Sequence, residues 1–176
     1  PFVMGLRKAS SAGTLILRDR ELSSEDRILD IVRKAEGIFL AGGDQGNYIR
    51  MWKDTPLGAL LQERIEAGVP VGGISAGLAV LGQHYFGAEE VTISSTEALK
   101  NWNGPQMKVG SEFLEVPYLR GLITDSHFAR RDRMGRLLAF LAVMQCGGGA
   151  GGVNLGVNGG VSGEVSGVKQ PRGLGI

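Results

Sequence analysis

At 176 residues, 43% hydrophobic and 21% charged, the chain has the size and composition of a soluble globular protein of about one domain. A net charge of +1 argues against a strongly basic nucleic-acid surface, and the one block of charge is Arg130-Arg131-Asp132-Arg133. No apolar run reaches the roughly 18 to 20 residues of a membrane span, and the single cysteine, Cys146, rules out an internal disulfide framework and points to a reducing, cytoplasmic compartment. Pro1 is not a translation start, so export with a lost leader stays compatible with these features.

Along the chain, Thr14-Leu15-Ile16-Leu17 reads as a short strand. Ser23-Ser24-Glu25-Asp26 then caps a helix to about Lys34, with Ile28, Ile31 and Val32 on one face. The unbroken apolar run Gly37-Ile38-Phe39-Leu40-Ala41 predicts a buried strand. Residues 47–51 and 57–67 read as helices on either side of a loop at Asp54-Thr55-Pro56, 69–72 as the next strand, and the residues after Ser75 as another helix. This alternation implies a parallel sheet covered on both faces, with function at the C-terminal strand ends. Residues 89–97 and 111–117 read as strands or loops around Asn101-Trp102-Asn103-Gly104-Pro105. Gly121-Leu122-Ile123-Thr124 is a short strand, and residues 130–144 form a helix with Met134, Leu137, Leu138 and Leu141 at helical spacing. From Gly147 to Ile176, 12 of 30 residues are glycine, so this segment is expected to be irregular or a valine-rich sheet edge, set apart from a domain spanning 1–146.

The chemistry concentrates at Gly73-Ile74-Ser75-Ala76-Gly77, where an apolar segment runs into a helical one. A serine on a sharp strand-to-helix turn needs small residues two positions away on each side, because a Cβ there collides with the tight backbone that exposes the hydroxyl. The turn also sets Ser75 at a helix N-terminus, where free N–H groups stabilise an oxyanion. The glycine turn Ala41-Gly42-Gly43-Asp44-Gln45 ends the preceding strand, so the Gly43 and Ala76 N–H groups are a candidate oxyanion hole, and Gln45 offers a donor and an acceptor to a peptide backbone.

Two histidines compete as the base for Ser75. His84 lies nine residues on, about 13 Å along a continuous helix, whereas His127 sits where a strand meets a helix on the same functional edge. His127 is the expected base. For the acid that orients it, Glu90 is preferred over Glu89, giving the chain order serine, acid, histidine. Asp125 shares a strand face with His127, and side chains at i and i+2 rarely point at each other.

Gly42-Gly43-Asp44-Gln45, Gly73-Ile74-Ser75-Ala76-Gly77, and Asp125-Ser126-His127-Phe128 with Arg131, Arg133, Gly135 and Arg136 together resemble the cyanophycinase and aspartyl dipeptidase family of serine peptidases, peptidase family S51, over roughly Ala35 to Ala142. The resemblance implies an α/β fold, a parallel-sheet three-layer sandwich similar to class I glutamine amidotransferases with a nucleophile elbow. It also implies Ser75 as nucleophile, His127 as base, an acid near Glu90, and no cofactor or metal. Family members cleave next to aspartyl residues. The expected substrate is therefore an aspartyl peptide or a cyanophycin-like polymer, with no nucleic-acid or membrane partner and a homodimer as candidate assembly. Gly43, Asp44, Gln45, Ala76, Asp125, Arg131 and Arg133 are the expected substrate-binding set, because a guanidinium near the elbow pairs with an aspartyl carboxylate in a way no neutral side chain matches. Arg130 and Arg136 also fit a solvated helix face. The family's first strands have no counterpart before Thr14, and Asn154 and Asn158 stand where its late acidic segment is expected. An α-aspartyl dipeptidase and a non-catalytic peptide-binding protein are the alternative readings.

Overall fold

The computed structural model describes residues 11–88, 92–146 and 172–175. Strand β1 (Ile38–Leu40) pairs in parallel with β2 (Val71–Gly73), in the register Leu40 to Gly73. Helix α1 (Asp26–Arg33) precedes β1, and α2 (Gln45–Trp52) and α3 (Pro56–Glu66) run between β1 and β2. The second sheet has the order β4-β3-β5-β6, with β3 (His84–Phe86), β4 (Val109–Ser111), β5 (Leu122–Asp125) and β6 (Arg172–Gly175). There β3 pairs with β5 and β5 with β6 in parallel, and β4 is antiparallel to β3.

Successive side chains of a strand point to opposite faces, and β3 divides the core in this way. Tyr85 joins an apolar cluster built from α1 to α3, with Val32, Leu40, Ile49, Leu57, Leu61 and Ile65. Phe86 joins a second cluster with Ile93, Ile123, Leu137 and Phe140, built from α5 (Ser95–Lys100) and α6 (Met134–Cys146). Helices therefore cover both sheet faces. Thr55 and Pro56 account for the sharp start of α3: the Thr55 hydroxyl accepts from Gly58 N–H, and proline opens the helix where its missing N–H costs nothing.

Several sequence expectations change. Residues 14–17 form no strand: Leu15 and Leu17 pack at the edge of the first cluster while Ile16 is 71% exposed, an alternation that no described backbone partner turns into a ladder. Ser23 does not cap α1; it is fully buried and its hydroxyl donates to the Met51 carbonyl, tying the preceding 3₁₀ turn to α2. Ile28 and Val32 are buried, but Ile31 faces out. Phe39 of the supposedly buried β1 is half exposed. The helix after Ser75, α4, spans only Ala76–Ala79, so His84 sits on β3 rather than on a long helix. Within 89–97, the part from Ser95 is helical, begun by a reciprocal capping box between Ser94 and Glu97. Helix α6 starts at Met134 and buries Arg136, Leu137, Ala139 and Phe140, while Met134 and Leu138 of the expected core face are exposed. The glycine-rich stretch 147–171 lies outside the described residues; 172–175 supply β6.

Candidate active site

Strand β2 delivers the chain to Ser75, whose backbone at φ 54° and ψ −115° is held off the regions a serine ordinarily adopts. The surrounding glycines make this possible by close approach. A Cβ on Gly73 would lie 2.5 Å from the Gly77 carbonyl carbon, and one on Gly77 would lie 2.5 Å from that of Leu40. Neither clash involves a side chain that can swing aside. The turn after β1 packs directly on the elbow: a Cβ on Gly42 would stand 3.2 Å from Ser75 Cβ. Two hydrogen bonds on the Ala41 carbonyl fix this junction, from Gly77 N–H at 3.1 Å and from the Tyr48 hydroxyl at 2.7 Å.

The end of β5 brings in the candidate base. His127 follows the strand in a left-handed conformation, φ 54°, and its Nε2 lies 2.8 Å from Ser75 Oγ. The turn beyond it is closed by Arg131 N–H to the His127 carbonyl at 2.9 Å and Arg133 N–H to that of Phe128 at 3.0 Å. Burial holds the imidazole below its ordinary pKa, and repulsion from Arg131, Arg133 and Arg130 acts in the same direction, against the smaller pull of Asp125. A neutral ring with Nε2 against a hydroxyl has the arrangement that a general base for serine requires.

Ser75 opens on a cavity of about 310 Å³ whose walls include Gly43, Asp44, Gln45, Ala76, Arg131 and Arg133, all expected from the sequence, together with Ala88, Thr92 and Ser126, which were not. Gly43 and Ala76, whose N–H groups are the expected oxyanion donors, both line the cavity beside Ser75. Gln45 Nε2 donates one N–H to the Phe86 carbonyl, which leaves its second N–H and its oxygen. Glu89 and Glu90 lie outside the described residues; Ala88 and Thr92, which flank residues 89–91, both line the cavity.

Asp125 does not face the cavity. It is 1% exposed, and its carboxylate accepts from Ser126 N–H at 2.8 Å, from Arg133 at 3.0 Å, and from both Nε and Nη2 of Arg136. Its role as a substrate contact is therefore replaced by that of an anchor. Arg136, expected on a solvated face, is only 2% exposed, and it also donates to the Ile93 carbonyl at 3.2 Å while its guanidinium lies near the stacked rings of Phe86 and Phe140. Its sequence signal was weak, since its acid partner lies on a different element. Arg133 bridges the two layers: its Nη1 holds Asp125 and the Ser126 carbonyl, and the residue still reaches the cavity wall.

In comparison with known proteins, residues 10–134 match peptidase family S51. The chain is 33% identical over 135 residues to a cyanophycinase from Geminocystis herdmanii, covering 76% of this chain and 46% of that protein. It is 30% identical over 87 residues to a pyridoxal 5'-phosphate synthase subunit PdxT from Fervidobacterium nodosum, covering 48% of this chain and 46% of that one. The solved structure of a peptidase from an acI-B1 Actinobacterium superposes with a TM-score of 0.51 at 20% identity, over 70% of this chain and 45% of that chain. The fold is that of the class I glutamine amidotransferases. The chain spans about half the length of the curated relatives it matches.

Proposed function

The chain belongs to peptidase family S51, and from that premise we propose that it is a serine-type peptidase hydrolysing aspartyl-containing peptides, with a cyanophycin-like polymer as the first candidate substrate. The observation that carries this reading is the 2.8 Å hydrogen bond between Ser75 Oγ and His127 Nε2 on a strained turn beside a cationic cavity. Ser75 Oγ attacks the scissile carbonyl as His127 takes its proton, and the resulting oxyanion sits on the Gly43 and Ala76 N–H groups. His127 then protonates the leaving amine, and water, deprotonated by the same ring, releases the acyl group. Glu90 is the residue assigned to orient His127, with Glu89 the second choice. The substrate carboxylate pairs with Arg131 and Arg133; the identity of that partner also separates this reading from an α-aspartyl dipeptidase or a non-catalytic binding protein, through cleavage of internal, terminal or no aspartyl bonds.

Selectivity tests the arginine assignment. Arg131 is exposed and Arg133 is 8% exposed, so a carboxylate held between them is worth about 1 to 2 kcal/mol over an amide of the same shape, roughly 5- to 30-fold in kcat/KM. The protein should therefore cleave an aspartyl peptide at least that much better than its asparaginyl twin. Arg131→Lys, which keeps charge but loses the planar fork, should lower the aspartyl rate and spare acylation by a small activated ester. Equal rates on the two peptides would remove the arginine pocket from the proposal.

The pH profile tests the base. His127 must be neutral to accept the serine proton, and burial together with the three arginines lowers its pKa, so activity should persist as the pH falls below about 6.5 before the acidic limb of kcat/KM appears. Arg131→Gln removes one repelling charge and should move that limb to higher pH. A limb centred above pH 7 in the unmutated protein, or one that moves down in the variant, would contradict His127 as this base.

A further inference from the structure

We infer that Tyr48 is a positioning residue for the oxyanion donors of the Ser75 cavity: its hydroxyl holds the Ala41 carbonyl, where the turn carrying Gly43 meets the elbow carrying Ala76. This rests on the peptidase reading and adds a residue to its machinery. The Tyr48 hydroxyl donates to that carbonyl at 2.7 Å. Gly77 N–H donates to the same oxygen at 3.1 Å but is shared with the Ile74 carbonyl at 3.0 Å, so Tyr48 is the undivided donor. The turn needs such a tie. Residues 41–44 are exposed, Gly43 has a φ of 145° that residues with side chains rarely adopt, and a Cβ on Gly43 would meet nothing within 4 Å. Packing around Gly43 therefore does not fix where its N–H points. An oxyanion donor works by already pointing at the developing charge, so slack in this turn weakens the transition state more than the bound substrate. Burial raises the pKa of the Tyr48 phenol above its ordinary value, so the hydroxyl stays a donor near neutral pH.

The bland alternative is that Tyr48 only fastens α2. That helix is held without it. Ile49 is buried in the first core cluster, Ser23 donates to the Met51 carbonyl at 2.8 Å, and Arg20 donates to the carbonyls of Lys53 and Asp54 at 2.8 and 3.3 Å, just past the helix end. The Tyr48 ring packs edge-on against Trp52 with centroids 4.6 Å apart, a contact that phenylalanine keeps. Tyr48→Phe therefore removes the hydroxyl and its hold on Ala41 while leaving the ring in place.

The experiment compares Tyr48→Phe with Ser23→Ala, which cuts a hydroxyl-to-carbonyl bond of similar length at the C-terminal end of α2, off the cavity walls. On an aspartyl peptide, Tyr48→Phe should lower kcat about 5- to 30-fold and leave KM within about twofold, a smaller loss than the roughly 100-fold or more expected when an oxyanion donor itself is removed. Ser23→Ala should melt at a lower temperature with kcat unchanged. A trifluoromethyl ketone analogue of the peptide reads the oxyanion directly. Ser75 Oγ adds to its carbonyl carbon, His127 takes the hydroxyl proton, and the carbonyl oxygen becomes the anion facing the Gly43 and Ala76 N–H groups. Its inhibition constant should rise in Tyr48→Phe by the factor by which kcat falls. If the unmutated protein cleaves no aspartyl peptide, the peptidase reading fails, and the rate of fluorophosphonate labelling at Ser75 carries the comparison: slower labelling in Tyr48→Phe alone supports the inference. An unchanged kcat, inhibition constant or labelling rate in folded Tyr48→Phe, or an equal loss in Ser23→Ala, would overturn it, and a protein that takes no label at Ser75 would end both readings.

Discussion

Ser75→Ala is expected to lower hydrolysis by several orders of magnitude, with the residual rate coming from the oxyanion donors and substrate binding alone. A fluorophosphonate should modify the unmutated protein at Ser75, because the hydroxyl is 2.8 Å from His127 Nε2 and opens on the cavity. His127→Ala should produce a loss of the same order, since in the proposed mechanism nucleophile and base act as one unit. His84→Ala should retain most activity: that ring is carried on β3, whose His84 backbone registers with Ser111 and Ile123 inside the sheet. Modification of a folded, active sample at some other residue, with Ser75 untouched, would end the assignment, and so would a His84→Ala loss equal to that of His127→Ala.

What made Ser75 legible in the sequence is that the elbow's geometry is local. Gly73 and Gly77 are required by backbone contacts within four residues and with the adjoining strand, so their spacing records the turn directly. His127 was legible for a related reason, because a strand end leading into a turn beside a helix places it on the same sheet edge as Ser75. The capping box that starts α5 was also written in the chain, as Ser94 and Glu97 three residues apart, although the segment around it read as strand or loop. Strands β3 and β4 were not legible: three residues are too few to establish a period, and His84-Tyr85-Phe86 follows a glycine turn that looked like helix continuation. Arg136 shows the deeper limit. A charged residue on an apolar helix reads as solvated unless its partner is known, and the partner, Asp125, reaches it only through the tertiary fold.

That buried cluster has its own expected result: Asp125→Asn should destabilise the protein by about 3–5 kcal/mol, roughly 6 to 20 °C in melting temperature for a chain of this size. The reason is charge balance. Asp125 is the carboxylate shared by Arg133 and Arg136, which are 8% and 2% exposed, so neutralising it leaves two like charges facing each other away from water. Arg136→Met should cost less. Its chain can still fill the space against Phe86 and Phe140, and Asp125 keeps Arg133 as a partner at 3.0 Å. The double variant, with one buried cation and no buried carboxylate, should then lose less stability than the two single changes added together, the mark of directly coupled sites. The same pair connects stability to the active site, because Asp125 holds Ser126 N–H immediately before His127, and Arg136 holds the Ile93 carbonyl next to Thr92 on the cavity wall. Arg136→Met should therefore reduce kcat even at temperatures where the variant is fully folded. Additive losses in urea melts, or an Asp125→Asn cost below about 1 kcal/mol, would show that Asp125 and Arg136 are not coupled, and an unchanged kcat in folded Arg136→Met would show that the cluster does not position His127.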